Sequence, residues 1–78
     1  MKIEDFIARI EEEFEDVPKG LLQPDVPFRE ILEWTSVNAL LLMALISTEY
    51  DVNLEVDELK NCITLREIYN CVTSKMVF

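Results

Sequence analysis

Seventy-eight residues are enough for one domain, but a chain of this size buries only about 60% of the surface it exposes when unfolded. The net charge of −9 disfavours nucleic acid and anionic membranes, which would repel the chain, and favours basic partners. The absence of histidine excludes a Ser–His–Asp or Cys–His group within the chain and histidine ligation of a metal. We therefore expect one domain over residues 1–78 that is not an enzyme and holds no metal.

The N-terminal stretch predicts an amphipathic helix that runs to about residue 16. Apolar residues recur there at helical spacing, and acidic residues occupy most of the remaining positions. The apolar stripe consists of Ile3, Phe6, Ile7, Ile10, Phe14 and Val17. The stretch lacks the basic and apolar regions of a signal peptide, so we do not read it as one.

A long connection follows, from Pro18 to about Trp34. Gly20, Pro24 and Pro27 oppose regular structure, but the connection holds too many apolar residues for a disordered linker. We predict a loop pinned across the helices, with one helical turn over residues 28–32. Long ordered loops often carry function, and we expect Trp34 to anchor the approach to the next helix or to lie partly exposed beside a site.

The central helix is predicted from about residue 37 to residue 50, with Thr35 or Ser36 as the capping residue. Its apolar run is too short to span a bilayer. It has two apolar stripes: the first is Ala39, Leu42, Met43, Ile46 and Tyr50, and the second is Val37, Leu40, Leu41 and Ala44. Our first interpretation is a helix packed on both sides. The alternative is that the second stripe is a docking surface.

The remaining chain predicts a connector over residues 52–56, a short helix over 57–61 and a last helix opened by a capping box of Thr64 and Glu67. The apolar stripe of the last helix is Leu65, Ile68, Tyr69 and Val72. Packing the helices together is the only way to bury their stripes. The sequence therefore predicts an all-α fold, a small four-helix bundle of three long helices and one short helix with a long first loop.

Cys62 and Cys71 lie nine positions apart and form no CxxC pair. We read them as reduced, mostly buried thiols of a cytoplasmic protein, with a disulfide as the alternative.

Ser36 is the one chemically suggestive position, because it lies where the long loop meets the central helix. The free amides and partial positive charge of a helix N-terminus favour a bound or attached phosphate. A serine at a helix start is, however, usually only a cap, and the residues alone leave both roles open.

From about residue 28 to 75 the chain resembles acyl carrier proteins, small four-helix proteins that carry acyl groups on a 4′-phosphopantetheine arm. Their attachment signature, Asp-Ser-Leu at the start of the second helix, corresponds here to Thr35-Ser36-Val37. The downstream pattern continues in register, with Leu42, Ile46, Glu49-Tyr50-Asp51, Leu54, Asp57-Glu58-Leu59 and Thr64-Leu65. The first helix also fits the family in length and acidity, so the resemblance covers nearly all of the chain without a gap.

The resemblance implies that Ser36 is the attachment point. A phosphopantetheinyl transferase would move the arm from coenzyme A onto its hydroxyl, and the terminal thiol of the arm would hold an acyl group as a thioester. The protein, a monomer, would perform no chemistry and would present its cargo to acyl-processing enzymes of fatty-acid, polyketide or related specialised lipid biosynthesis.

The chain departs from the family pattern in several places, and the glycine often found just before the motif is absent, with Glu33-Trp34 there instead. Thr35 replaces the usual aspartate, and Leu41, Ser47 and Thr48 stand where many fatty-acid carriers have acids. We therefore expect partners with basic or apolar surfaces to dock on Val37, Leu40, Leu41, Ala44 and Thr48. The alternatives are an aminoacyl or peptidyl carrier, and an unmodified helical interaction module in which Ser36 is only a cap.

Overall fold

The computed structural model describes residues 2–15 and 17–76. Within these ranges it contains no strand and four α-helices, named α1 to α4 in chain order: Ile3–Glu13, Ser36–Tyr50, Val56–Asn61 and Leu65–Lys75. A 3-10 turn, Phe28–Glu30, lies in the loop between α1 and α2 and agrees with the predicted helical turn. The all-α prediction of three long helices, one short helix and a long first loop is confirmed.

Helix α1 ends at Glu13, earlier than the predicted boundary near residue 16, which itself lies outside the described residues. Phe14 leaves the helical conformation with φ −103° and ψ 73°. The last turn holds acidic residues and no basic one, so nothing there offsets the negative end of the helix dipole. The apolar stripe continues to Phe14 and Val17 in the sequence, but the acids of the last turn favour an earlier end of the helix.

The core is built where α1 packs against α2 and α4, with the loop laid over the remaining side. The loop contributes Leu22, Phe28 and Leu32 to the buried set. Its backbone is joined to the start of α4, because the Phe28 N–H donates to the Ile63 carbonyl at 3.2 Å and the Arg66 N–H donates to the Pro24 carbonyl at 3.0 Å. These bonds confirm the prediction of a pinned rather than a disordered loop.

The interpretation of α2 as packed on both sides is wrong. Leu42, Leu45 and Ile46 are buried, whereas Val37 and Leu40 are 66% and 62% exposed. Leu41 and Ala44 are exposed as well, so the whole second stripe faces solvent. The other helices of so small a chain have enough apolar surface to cover only one face of α2. Helix α2 has 15 residues, and no helix in the described ranges is long and apolar enough to cross a membrane.

Replacing leucine by alanine should lower the free energy of unfolding by different amounts on the two faces of α2. Leu42→Ala removes a fully buried side chain and should lower the free energy of unfolding by about 2–5 kcal/mol. Leu40→Ala, on the exposed face of the same helix, should change it by less than about 0.5 kcal/mol. Urea denaturation of the two variants measures both values, and equal losses would contradict the assigned faces.

Candidate functional site

Thr35 begins α2. Its backbone is extended, with φ −118° and ψ 167°, and its hydroxyl oxygen accepts a hydrogen bond from the Asn38 N–H at 3.1 Å. The Asn38 side-chain amide donates to the Glu33 carbonyl and holds the chain that enters the helix. The cap, which the sequence left open between two residues, is therefore Thr35, and Ser36 is the first residue of the helix proper.

The Ser36 side chain is exposed, and its hydroxyl makes no hydrogen bond to the described part of the chain. The first hydrogen bond along the helix runs from the Ala39 N–H to the Thr35 carbonyl at 2.9 Å, so the amides of Ser36 and Val37 precede it and stay free. No acidic residue lies in the first turn. The hydroxyl thus stands at the positive end of α2, where a phosphate is stabilised.

A groove of about 460 Å³ opens beside Ser36 between α2 and α3. Its lining is mostly apolar, and it comprises Trp34, Thr35, Ser36, Ala39, Leu40, Met43, Val56, Leu59 and Lys60. Trp34 is half-buried, so the two sequence expectations for it, an anchor and a residue beside the site, are both met. The exposed serine and the apolar groove together fit a long, flexible group attached to the hydroxyl.

Arg29 holds the two walls of this groove together. Its guanidinium donates to the carbonyls of Leu59 at 3.3 Å and Lys60 at 2.9 Å, in the last turn of α3. The same guanidinium lies 5.5 Å from the ring centroid of Trp34, within the range of a cation–π interaction. Sequence reasoning missed Arg29, because no spacing rule connects a loop arginine to carbonyls 30 residues away.

Glu58 fixes the other end of α3. Its carboxylate accepts a hydrogen bond from the Glu55 N–H at 3.0 Å and lies 2.9 Å from the Lys75 ammonium. The hydrogen-bonded Lys75, with smaller effects from the Glu55 amide and the Cys71 thiol, lowers the pKa of Glu58 from 4.5 to about 2. Helix α3, the outer wall of the groove, is thus tied at its start to α4 and at its end to the loop.

The two cysteines are free thiols, as expected from the sequence, with Cys62 buried and Cys71 half-buried. Burial raises the pKa of both, and the Glu58 carboxylate raises that of Cys71 further. Because the thiolate is the nucleophilic form and a raised pKa lowers its fraction, neither cysteine is activated to form a thioester itself.

The predicted docking residues lie on one exposed face of α2, but they border two different clefts. Leu40 lines the groove beside Ser36, together with Val56 of α3. Leu41 lines a second cleft of about 400 Å³, whose carboxylates are Glu13, Glu15 and Glu33. Val37, Ala44 and Thr48 are exposed along the same helix. The acids missing from the face of α2 are therefore supplied beside it, by residues near the end of α1 and the end of the loop.

A helical bundle with an unengaged serine at the start of its second helix and an apolar groove beside it is suited to hold a cargo rather than to transform one. The family model described as "Phosphopantetheine attachment site" matches residues 5–72, and the chain belongs to this family of carrier proteins. Its members carry covalently attached 4′-phosphopantetheine, work with phosphopantetheinyl transferases and acyl-processing enzymes, and are typically non-catalytic. A search of curated proteins finds no match to the chain.

The lowered pKa of Glu58 predicts a pH-dependent contribution to stability. Well above pH 4.5 the carboxylate is charged in both states, so its interactions in the folded state contribute in full. As the pH falls from 4.5 through about 2, the unfolded state takes up the proton first and the contribution disappears. The stability difference between wild type and Glu58→Gln should therefore be constant near neutral pH and decrease steadily as the pH falls from 4.5 towards 2.

Urea denaturation at a series of pH values measures that difference. Glu30→Gln is the matched control, because Glu30 is exposed and makes no ion pair with the described basic residues. A Glu58 difference that persists unchanged to pH 2 would show that the interaction does not depend on the charge.

Proposed function

We propose that Ser36 carries the 4′-phosphopantetheine arm and that residues 1–78 act as one monomeric acyl carrier domain of fatty-acid, polyketide or related specialised lipid biosynthesis. The observation that carries the proposal is the Ser36 hydroxyl, exposed and without a hydrogen-bond partner in the described chain, at the N-terminus of α2 beside an apolar groove. The capping hydrogen bond of Thr35 leaves that hydroxyl available.

In the transfer, the Ser36 oxygen attacks the phosphorus of coenzyme A that bears the pantetheine. A new oxygen–phosphorus bond forms, the bond to the second phosphate of the pyrophosphate breaks, and the hydroxyl proton passes to the transferase or to water. The free amides of Ser36 and Val37 favour the negative charge of the phosphodiester product. Once attached, the arm supplies the thiol that holds the cargo as a thioester.

The groove supports an acyl cargo over an aminoacyl one. Ala39, Leu40 and Met43 line it from α2, and Val56 and Leu59 face them from α3. An aliphatic chain placed there is stabilised by about 25 cal/mol for each Å² of apolar surface removed from water, whereas a charged α-amino group would lose hydration.

The two protonated thiols and the expected partner enzymes are consistent with a cytoplasmic protein.

The attachment is tested by incubating the protein with coenzyme A and a phosphopantetheinyl transferase of broad specificity. Intact mass spectrometry should show a gain of one arm in the wild type and no gain in Ser36→Ala, which lacks the hydroxyl. Ser47→Ala is the matched control, since it removes another serine of α2, and it should be modified like the wild type.

A gain that survives Ser36→Ala would place the arm elsewhere. No gain in the wild type with several transferases would instead support the unmodified interaction module.

For the partner surface, we propose that Val37, Leu40, Leu41, Ala44 and Thr48 dock the acyl-processing enzymes. The exposed leucines supply apolar area at the centre of this face, which is where interfaces concentrate their binding energy. The carboxylates of Glu13, Glu15 and Glu33 lie at its edge, where charge chiefly steers association.

A double-mutant cycle tests the docking surface. Leu41→Ala combined with truncation of the facing apolar residue of a cognate enzyme should give a coupling energy of about 0.5–3 kcal/mol in binding. Leu21→Ala, a loop leucine that is 50% exposed, is the control and should give none with the same enzyme residue. Zero coupling at Leu41 would count against the surface.

A further inference from the structure

Lys60 lines the same groove as Ser36 and lies in the last turn of α3. No other lysine or arginine lines that groove. Among the described residues, Arg9, Arg66 and Lys75 each form an ion pair with a carboxylate, whereas Lys60 has no carboxylate within ion-pair distance. A cation that forms no ion pair with the described carboxylates therefore lines the groove, in a chain whose net charge is −9.

The backbone that carries this lysine is held in place. The Arg29 guanidinium binds the Lys60 carbonyl at 2.9 Å and the Leu59 carbonyl at 3.3 Å, and it lies 5.5 Å from the ring centroid of Trp34, next to Thr35. The base of the Lys60 side chain is thereby fixed relative to the start of α2. Only the flexible four-carbon stem remains free to direct the ammonium group.

The charges around Ser36 favour pairing between Lys60 and a phosphate attached to the serine. An arm attached there adds a phosphodiester, which carries one negative charge, to a chain that is already acidic. The first turn of α2 contains no acid, and the capping residue Thr35 is neutral. The free amides of α2 meet the phosphate from the helix side, and the groove side offers one complementary charge, that of Lys60.

We infer that Lys60 binds the phosphate of the arm and draws the arm into the groove between α2 and α3. The inference rests on the proposed attachment at Ser36. A lysine ammonium is a strongly hydrated point charge, so the pairing is salt-sensitive and reversible. A partner enzyme that offers its own cation can take over the phosphate and release the arm for reaction. Lys60 is thus a positioning residue for the presented group.

Phosphorus NMR tests the inference on the modified protein with a free terminal thiol, because the arm contributes its only phosphorus. The phosphate resonance of the wild type should be broad, reporting a restrained group, and should narrow and shift in Lys60→Gln. Lys60→Arg keeps the charge and should restore the broad line. Lys19→Gln, which neutralises an exposed loop lysine outside the groove, should match the wild type.

Adding 0.5 M sodium chloride, which shortens the screening length to roughly 4 Å, should move the wild-type resonance towards that of Lys60→Gln. Identical resonances for wild type and Lys60→Gln at low salt would overturn the inference and leave the attachment at Ser36 intact. A phosphorus resonance that survives Ser36→Ala, or none in any variant after treatment with transferase, would count instead against the proposed attachment.

Discussion

The hydrogen bond from the Asn38 N–H to the Thr35 hydroxyl determines where α2 begins, and the position of the site depends on it. The side-chain oxygen of a capping residue accepts a hydrogen bond from a backbone N–H of the first helical turn. Because the Thr35 oxygen does so, the next residue, Ser36, enters the helix with a hydroxyl that is not hydrogen-bonded within the described ranges. Had Ser36 been the cap, its oxygen would be occupied by an amide and its backbone would lie one residue outside the helix. Because the Thr35 hydroxyl caps the helix, the Ser36 hydroxyl is available for modification and is not needed as a cap.

The groove beside Ser36 depends on how α3 is held. A helix of six residues is too short to be stable by itself, so its position comes from its attachments. Glu58 joins its first turn to Lys75 of α4, and Arg29 joins its last carbonyls to the loop. Both attachments are polar and lie at or near the surface. Such attachments hold α3 at a set distance from α2, but they can also shift so that this distance increases when a cargo enters the groove.

Much of the fold could be predicted from local patterns, since the stripe of α1 and the Thr64–Glu67 capping box depend on residues a few positions apart. The burial of α2 could not, because its two stripes are equally apolar and only the rest of the bundle decides which is covered. Leu45 belonged to neither predicted stripe, yet it is buried. The contacts of Arg29 with α3 and of Glu58 with Lys75 were missed because the partners come from separate elements. For the site, the position of Ser36 was predictable, but the state of its hydroxyl required the cap to be known.

Thr35 separates two roles that aspartate combines in the family signature. As a cap the two residues are nearly equivalent, since each offers a side-chain oxygen to a free amide. As a charge they differ, because threonine adds no negative field next to the phosphate that Ser36 would carry. Negative charge is supplied instead by Glu13, Glu15 and Glu33, which line the second cleft beside α2. A partner enzyme would then meet a neutral attachment point with an acidic flank. Steering and phosphate binding would act at separate places on the surface.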